Sequence, residues 1–200
     1  MSKRKQDKNL QPPVPIEAGC VEKIIAGSAD AFEKLFNTYC QPLIHFTYRC
    51  VQDMQIAENL VQEVFVRVWR RREQLDPSSN IKAYLYTAAK NEALKHLRHA
   101  KVVNNNTADV QRMRDSIKTP EKTLSENDLA AAVQQAIDEL PEKSRLIFSM
   151  SKYDQLTYAE IAEIQNISVK TVETHMGRAL KFLRQRLADF FPLLLIFLSG

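Results

Sequence analysis

Apolar side chains recur every three or four positions along most of this chain, which is the spacing of one face of an α-helix. Leu60, Val61, Val64 and Val68 show the pattern clearly, whereas Pro42 is expected to bend or interrupt its helix. Only four glycines occur in 200 residues, which argues against a sheet protein rich in tight turns. We therefore predict an all-α fold, with helices over residues 17–26, 29–48, 54–73, 80–99, 120–139 and 142–150 and two more within 157–187.

The last two helices have the pattern of a helix-turn-helix. Thr157 and Glu160 form a predicted capping box, in which each side chain bonds a free backbone N–H at a helix start. Asn166 suits the left-handed turn that follows, and Ser168 is placed to cap the second helix. A predicted inward stripe then follows at spacings of three and four: Val169, Val172, Met176, Leu180, Leu183 and Leu187.

The opposite face of this second helix carries hydrogen-bonding and cationic groups, which suit base edges and phosphates in a DNA major groove. The candidate DNA-binding residues are Lys170, Thr171, Glu173, Thr174, His175 and Arg178, with Lys181 and Arg184 beyond them. Gly177 lies in mid-helix, where glycine costs about 1 kcal/mol relative to alanine. We expect that this position needs a close approach, either to DNA or to another backbone.

The helix predicted over residues 80–99 interleaves aromatic and cationic side chains. Such a face suits melted DNA, because unstacked bases need flat rings and the backbone attracts cations. Tyr84 and Tyr86 are the two candidate rings, and each could instead pack into the helical bundle. The candidate polar partners on this helix are Lys90, Asn91, Lys95 and Arg98.

Charge and cysteine content narrow the alternatives. The net charge is only +4, so an argument for nucleic-acid binding depends on where the cations cluster. Three widely spaced cysteines and the pair His96 and His99 lack the further ligands of a metal site. Clustered carboxylates typical of a nuclease are also missing. We expect no metal, no cofactor, no small-molecule substrate and no enzymatic activity, and free thiols in a reducing cytosol.

The chain divides by composition into five parts. We expect a disordered basic lead over residues 1–15, a first helical domain over 16–101, a flexible linker over 102–119, a second helical domain over 120–188, and a hydrophobic tail over 189–200. The apolar part of the tail is well short of the ~20 residues that span a bilayer as a helix. It could cover the core of the second domain, dock on a partner or contact a membrane weakly. No signal peptide opens the sequence, which predicts a cytoplasmic protein.

Five segments, at 31–36, 57–69, 82–91, 140–145 and 158–162, resemble regions 2 and 4 of the extracytoplasmic-function (ECF) sigma factors of the sigma-70 family. These small bacterial subunits direct RNA polymerase to promoters, and the tail is similar to those of sigma factors of Bacteroidetes type. The resemblance makes residues 16–101 region 2 and 120–188 region 4. It implies that core RNA polymerase, promoter DNA and an anti-sigma factor, often membrane-bound, are the partners.

The resemblance also implies residue roles. Asn59, Gln62 and Glu63 would bind the clamp of the polymerase largest subunit, while region 4 would contact the flap. Leu75 opens the loop over 75–80 that would capture a flipped base of the −10 element. Six residues would bind the −10 DNA: Leu75, Tyr84, Lys90, Asn91, Lys95 and Arg98. The second helix of the helix-turn-helix would read the −35 element as duplex.

One alternative comes from another class of protein. The segment over 168–175 is also similar to the recognition helices of LuxR-type regulators, which bind DNA as dimers and do not join the polymerase. Such proteins usually carry a receiver or ligand domain in front. Residues 30–101 instead have only helical periodicity, without the alternation of strands.

Overall fold

The structure is a computed structural model that describes residues 19–104 and 126–188. The described chain is helical, which confirms the all-α prediction. Its helices are α1 (Cys20–Ile25), α2 (Ala29–Val51), α3 (Met54–Arg70), a 3-10 turn (Arg72–Gln74), α4 (Ile81–Asn104), α5 (Glu126–Asp138), α6 (Glu142–Lys152), α7 (Tyr158–Gln165) and α8 (Val169–Arg186). The chain divides between Thr107 and Ala108 into two compact units. The predicted lead and tail, most of the linker, and the start of the helix predicted from 120 lie outside the described residues.

In the first unit, α2, α3 and α4 pack against one another, and α1 packs on α2. Ser28 caps α2 by accepting a bond from the Ala31 N–H at 3.3 Å. Asn80 caps α4 in the same way, with its Oδ1 3.1 Å from the Ala83 nitrogen. α4 runs to Asn104, several residues beyond the predicted end.

Pro42 was expected to bend or interrupt its helix, and the structure shows no interruption. α2 continues through it from Ala29 to Val51. Proline removes one backbone hydrogen bond and favours a kink or a break. Here Tyr39, Leu43 and Phe46 on both sides of the proline are buried in the core. Burying such side chains stabilises by about 1.5–3 kcal/mol each, which exceeds the loss of one bond.

In the second unit, α8 contacts α5, α6 and α7. The buried face of α8 differs from the predicted apolar stripe, because Val169 and Leu180 are exposed. The buried residues of α8 are Val172, Met176, Ala179 and Leu183. Their spacings of four, three and four define one arc of the helix, and Val169 and Leu180 lie at its edge.

Candidate nucleic-acid interface

The helix-turn-helix is built as its sequence predicts. Thr157 accepts from the Glu160 N–H at 3.2 Å, and the Glu160 carboxylate accepts from the Thr157 N–H at 2.8 Å, which completes the capping box. Asn166 has φ 53° and ψ 51°, the left-handed turn expected there. Ser168 then caps α8 by accepting from the Thr171 N–H at 3.1 Å. These contacts fix the angle at which α8 leaves the turn.

The exposed face of α8 carries most of the predicted DNA-binding residues. Lys170, Glu173, Thr174 and Arg178 are exposed there. The Lys170 ammonium lies 3.1 Å from a Glu173 carboxylate oxygen, and both side chains remain accessible. Thr171 is half-buried, with its hydroxyl 2.8 Å from that of Ser168. The face thus offers donors and acceptors in a form that a groove can meet.

His175 does not point with the others. Its side chain is half-buried, and its Nδ1 lies 3.1 Å from the Oγ of Ser144, a buried residue of α6. The prediction that His175 lies on the open outward face is therefore wrong. The reason is tertiary, because α6 packs along the flank of α8 on which His175 lies.

Gly177 lies on the exposed side of α8. A Cβ added there would meet no atom within 4 Å. The described chain therefore contains no backbone close enough to require this glycine.

α4 of the first unit has its own polar face. Tyr84, Asn91, Lys95 and Arg98 are all exposed, and their spacings of seven, four and three place them on one side of the helix. Lys90 lies off this face and is half-buried. Burial lowers the pKa of its ammonium group, because desolvation disfavours the charged form.

The two tyrosines of α4 differ in position. Tyr84 is 38% exposed, whereas Tyr86 is fully buried. The ring of Tyr86 packs edge to face on Phe46, with centroids 5.1 Å apart. A stacking role for Tyr86 is therefore wrong, and Tyr84 is the ring of this pair that a base could reach.

The loop before α4 is held in a defined shape by short hydrogen bonds. Ser78 donates to the Asp76 carboxylate from its N–H at 2.8 Å and from its hydroxyl at 2.6 Å. These two bonds lower the pKa of Asp76, because they stabilise the carboxylate. The Ser79 hydroxyl donates to the Asp76 carbonyl at 2.7 Å. Leu75, which opens this loop, is half-buried.

α3 presents a third surface. Asn59, Gln62 and Glu63 are exposed along one side, with the Gln55 amide 3.4 Å from the Asn59 oxygen. Gln62 also borders a groove of about 680 Å³ between α2 and α3. Aromatic and aliphatic side chains line the groove, including Phe32, Phe36, Phe65, Val66 and Trp69. A polar row beside an apolar groove suits a protein partner.

Two features of these surfaces were missed in the sequence. Glu92, the one acid of α4 among its cations, lies buried against Arg67 of α3 at 2.7 Å. Its isolation in a basic helix was the available signal. The second feature is the groove beside His175, which joins residues over thirty positions apart and left no local pattern.

Within residues 19–104 and 126–188, no group of three or more histidine, cysteine or carboxylate side chains could hold a metal ion. No helix in the same ranges is long and apolar enough to cross a bilayer. The fold and these surfaces define a two-unit, all-helical protein with a helix-turn-helix in its second unit.

Comparison with known proteins identifies the family. Residues 35–102 match the model of sigma-70 region 2, and residues 130–183 match that of sigma-70 region 4. The chain is 28% identical over 179 residues to the ECF RNA polymerase sigma factor SigW of Bacillus subtilis, covering 84% of this chain and 95% of SigW. It is also 28% identical over 169 residues to the RNA polymerase sigma-H factor of Pseudomonas aeruginosa, covering 80% and 87%. The chain therefore belongs to the sigma-70 family, in its ECF group.

Solved structures share the fold. CnrH, solved in complex with the cytosolic domain of CnrY, matches with a TM-score of 0.59 at 20% identity, covering 85% of this chain and 96% of CnrH. RpoE of Bartonella quintana, solved in complex with the anti-sigma factor NepR, matches with a TM-score of 0.62 at 19% identity, covering 80% and 98%. Because both halves of the chain match sigma-70 regions, the comparisons do not favour the LuxR-type alternative.

Proposed function

We propose that this protein binds core RNA polymerase and directs it to promoters, with the work divided among α3, α4 and α8. The observation that carries the proposal is the presence of two different polar faces in separate helical units of one sigma-70 chain. α4 presents an aromatic ring among cations, and α8 presents a helix-turn-helix face. Melted and duplex DNA require these two kinds of surface.

α3 is the proposed polymerase-binding helix, through Asn59, Gln62 and Glu63. The three side chains are exposed on one side of a helix whose other side is buried. Asn59 would contribute a neutral hydrogen bond and Glu63 a charged one. The adjoining apolar groove adds the apolar contact area that these three polar side chains lack.

α4 and the loop before it form the proposed −10 surface. Tyr84 would stack on an unpaired base, while Asn91, Lys95 and Arg98 follow the backbone on the same face. Lys90, which lies off this face, would contact the DNA backbone from the side of the helix. The loop that Leu75 opens is held by Asp76 and Ser78, so little ordering entropy would be lost when it receives a flipped base.

α8 is the proposed −35 reader. Lys170, Glu173 and Thr174 lie on its exposed face near the N-terminal end, the part of a recognition helix that contacts base edges. Arg178 lies one turn further along. In the same proposal region 4 contacts the polymerase flap.

We further propose cytoplasmic location and control by an anti-sigma factor, which could be bound to the inner membrane. RpoE of Bartonella quintana was solved in complex with the anti-sigma factor NepR, and CnrH in complex with the cytosolic domain of CnrY. The apolar groove between α2 and α3 would bind an apolar helix of such an anti-sigma factor.

Run-off transcription with purified core polymerase tests the proposal, using genomic fragments that include the region upstream of this gene. The wild-type chain should give specific transcripts, and Gln62→Ala with Glu63→Ala should abolish them. The matched control pair is Gln41→Ala with Glu22→Ala, which changes exposed side chains of α2 and α1. Binding of duplex by a dimer without any new transcript would instead establish a stand-alone regulator.

A further inference from the structure

A second groove lies in the region 4 unit, between the start of α6 and the flank of α8. Its volume is about 460 Å³, and its lining includes Pro141 and Lys143 from the α6 side and His175, Arg178 and Phe182 from α8. None of the roles described above uses Lys143 or Phe182.

The groove adjoins the face of α8 that we assign to DNA. His175, Arg178 and Phe182 follow one another at spacings of three and four, so they form one edge of the helix. Lys170 and Thr174 lie beside that edge, on the exposed face. A duplex seated on this face would bring one of its strands past the groove.

The lining matches a sugar-phosphate unit in both of its parts. Pro141 and Phe182 offer apolar surface on which a deoxyribose can pack. Lys143 and Arg178 are exposed cations from two different helices, and both suit a phosphate. Glu142 also borders the groove, and its carboxylate opposes an anion there. The two cations outnumber this one acid.

His175 lines this groove and is oriented toward α6 rather than toward the outward face. Its Nδ1 lies 3.1 Å from the hydroxyl of Ser144, a residue that is itself buried. When Ser144 donates to Nδ1, the ring proton resides on Nε2, which makes Nε2 a donor. α6 also begins here, with Pro141 at its N-cap, and among the described residues no side chain caps its first turn. The positive end of the helix dipole therefore adds to the two cations.

We propose that this groove binds one backbone phosphate beside the −35 element. Lys143, Arg178 and the Nε2 of His175 contact the phosphate, and Ser144 acts as a positioning residue that orients the imidazole. This inference rests on the proposed −35 role of α8. It assigns Arg178 and His175 to the backbone and leaves base reading to Lys170, Glu173 and Thr174.

The test uses full-length chain bound to core polymerase, on a fragment that the wild-type holoenzyme transcribes. Each phosphate of the upstream element is replaced in turn by a neutral methylphosphonate, and holoenzyme affinity is measured at several salt concentrations. Lys143→Ala should weaken binding about five- to tenfold on every sequence and lower the salt slope by about one. One methylphosphonate should weaken the wild type by at least this factor and weaken Lys143→Ala less, because only Arg178 and His175 still contact that phosphate in the variant.

Five further variants make the result specific. Glu142→Gln removes the opposing charge and should tighten binding. Lys152→Ala changes an exposed lysine at the far end of the same helix and should match the wild type. Ser144→Ala should reproduce part of the His175→Ala defect, while Ser144→Thr, which keeps the hydroxyl, should restore binding. Circular dichroism checks that each variant is folded.

Wild-type affinity and salt slope for Lys143→Ala would overturn the inference. A second result would also overturn it: Lys143→Ala binds core polymerase more weakly, and its loss of DNA affinity is the same whichever phosphate is replaced. The groove would then be part of a polymerase-binding surface. If the wild-type chain yields no transcript, the proposed function fails by itself. The same methylphosphonate series on duplex bound by the chain alone then still decides whether the groove holds a phosphate.

Discussion

Arg67 of α3 and Glu92 of α4 form an ion pair with 2.7 Å between guanidinium and carboxylate, and the Glu92 side chain is only 8% exposed. Lys95 lies 3.9 Å from the other oxygen of the same carboxylate. The pair therefore ties the proposed polymerase-binding helix to the proposed −10 helix. The Glu92 carboxylate thus contacts Arg67 of α3 and Lys95 of α4 at once.

Glu92→Gln should destabilise the first unit by about 1–3 kcal/mol. The change leaves Arg67 without its ionic partner, and unpaired groups near the core carry that order of cost. We expect a smaller loss of unfolding free energy than for a fully buried ion pair, because Arg67 is 39% exposed and solvent screens its charge. The chain has one tryptophan, Trp69 on α3, so its fluorescence during urea unfolding reports on this unit.

Glu73→Gln is the matched control for that experiment. Glu73 is exposed and its contact with Arg72 is 3.9 Å long, so its loss should change stability by less than about 0.5 kcal/mol. Equal unfolding midpoints for Glu92→Gln and Glu73→Gln would contradict a structural role for the buried pair.

Tyr84→Ala and Tyr86→Ala should fail in different ways. Tyr84 is 38% exposed, so its loss should reduce promoter melting, seen as weaker permanganate reactivity of unpaired thymines, and should cost less stability than the loss of Tyr86. Tyr86 is buried against Phe46, so its loss should cost about 3–5 kcal/mol of unfolding free energy. Tyr84→Phe keeps the ring and should melt the promoter normally. Normal melting by Tyr84→Ala would remove this residue from the −10 surface.

Gly177→Ala should stabilise α8 and weaken promoter binding. Open space surrounds the position, so the added methyl meets no protein atom and the helix gains about 0.5–1 kcal/mol. If a duplex approaches the helix here, the same methyl hinders it. Hydrogen exchange of α8 amides measures the first effect, and holoenzyme binding to a transcribed fragment measures the second. Slower exchange with unchanged binding would show that DNA does not come close at this residue.

Acid should remove the contribution of the Glu139–Arg186 pair to the second unit. Arg186 donates to both carboxylate oxygens, at 2.8 and 3.0 Å, and this lowers the pKa of Glu139 from its ordinary 4.5. A lowered carboxyl pKa gives stability that is present above pH 4.5 and is lost as the pH falls through the pKa of the folded state. Glu139→Gln should therefore lower the unfolding temperature at pH 7 and have a smaller effect below pH 4.

The control for the acid experiment is Glu163→Gln, which alters an exposed carboxylate of α7. Its difference from the wild type should be small at both pH values. A Glu139→Gln difference that stays constant from pH 7 into the acid range would mean that the ion pair adds nothing to stability.

Local patterns were sufficient for the existence of the helices and for the caps of the helix-turn-helix, but not for the end of α4, which lies several residues beyond the predicted one. The caps at Thr157 and Ser168 and the turn at Asn166 formed as predicted, because a cap needs only a side chain and an N–H two or three residues away. Pro42 shows the limit of such reasoning. Its local preference opposed a helix, and burial of its neighbours outweighed that preference.

The sequence by itself determined the all-α fold, the helix-turn-helix and the family, since these depend on periodicity, capping and ordered segments along one chain. Only the tertiary structure decided which side of each helix is free. It buried Tyr86, turned His175 toward Ser144, exposed Leu180 and enclosed Glu92 against Arg67. The physical reason is that exposure depends on what packs against a helix. Helical spacing defines its faces, but the partner that covers each face comes from distant parts of the chain.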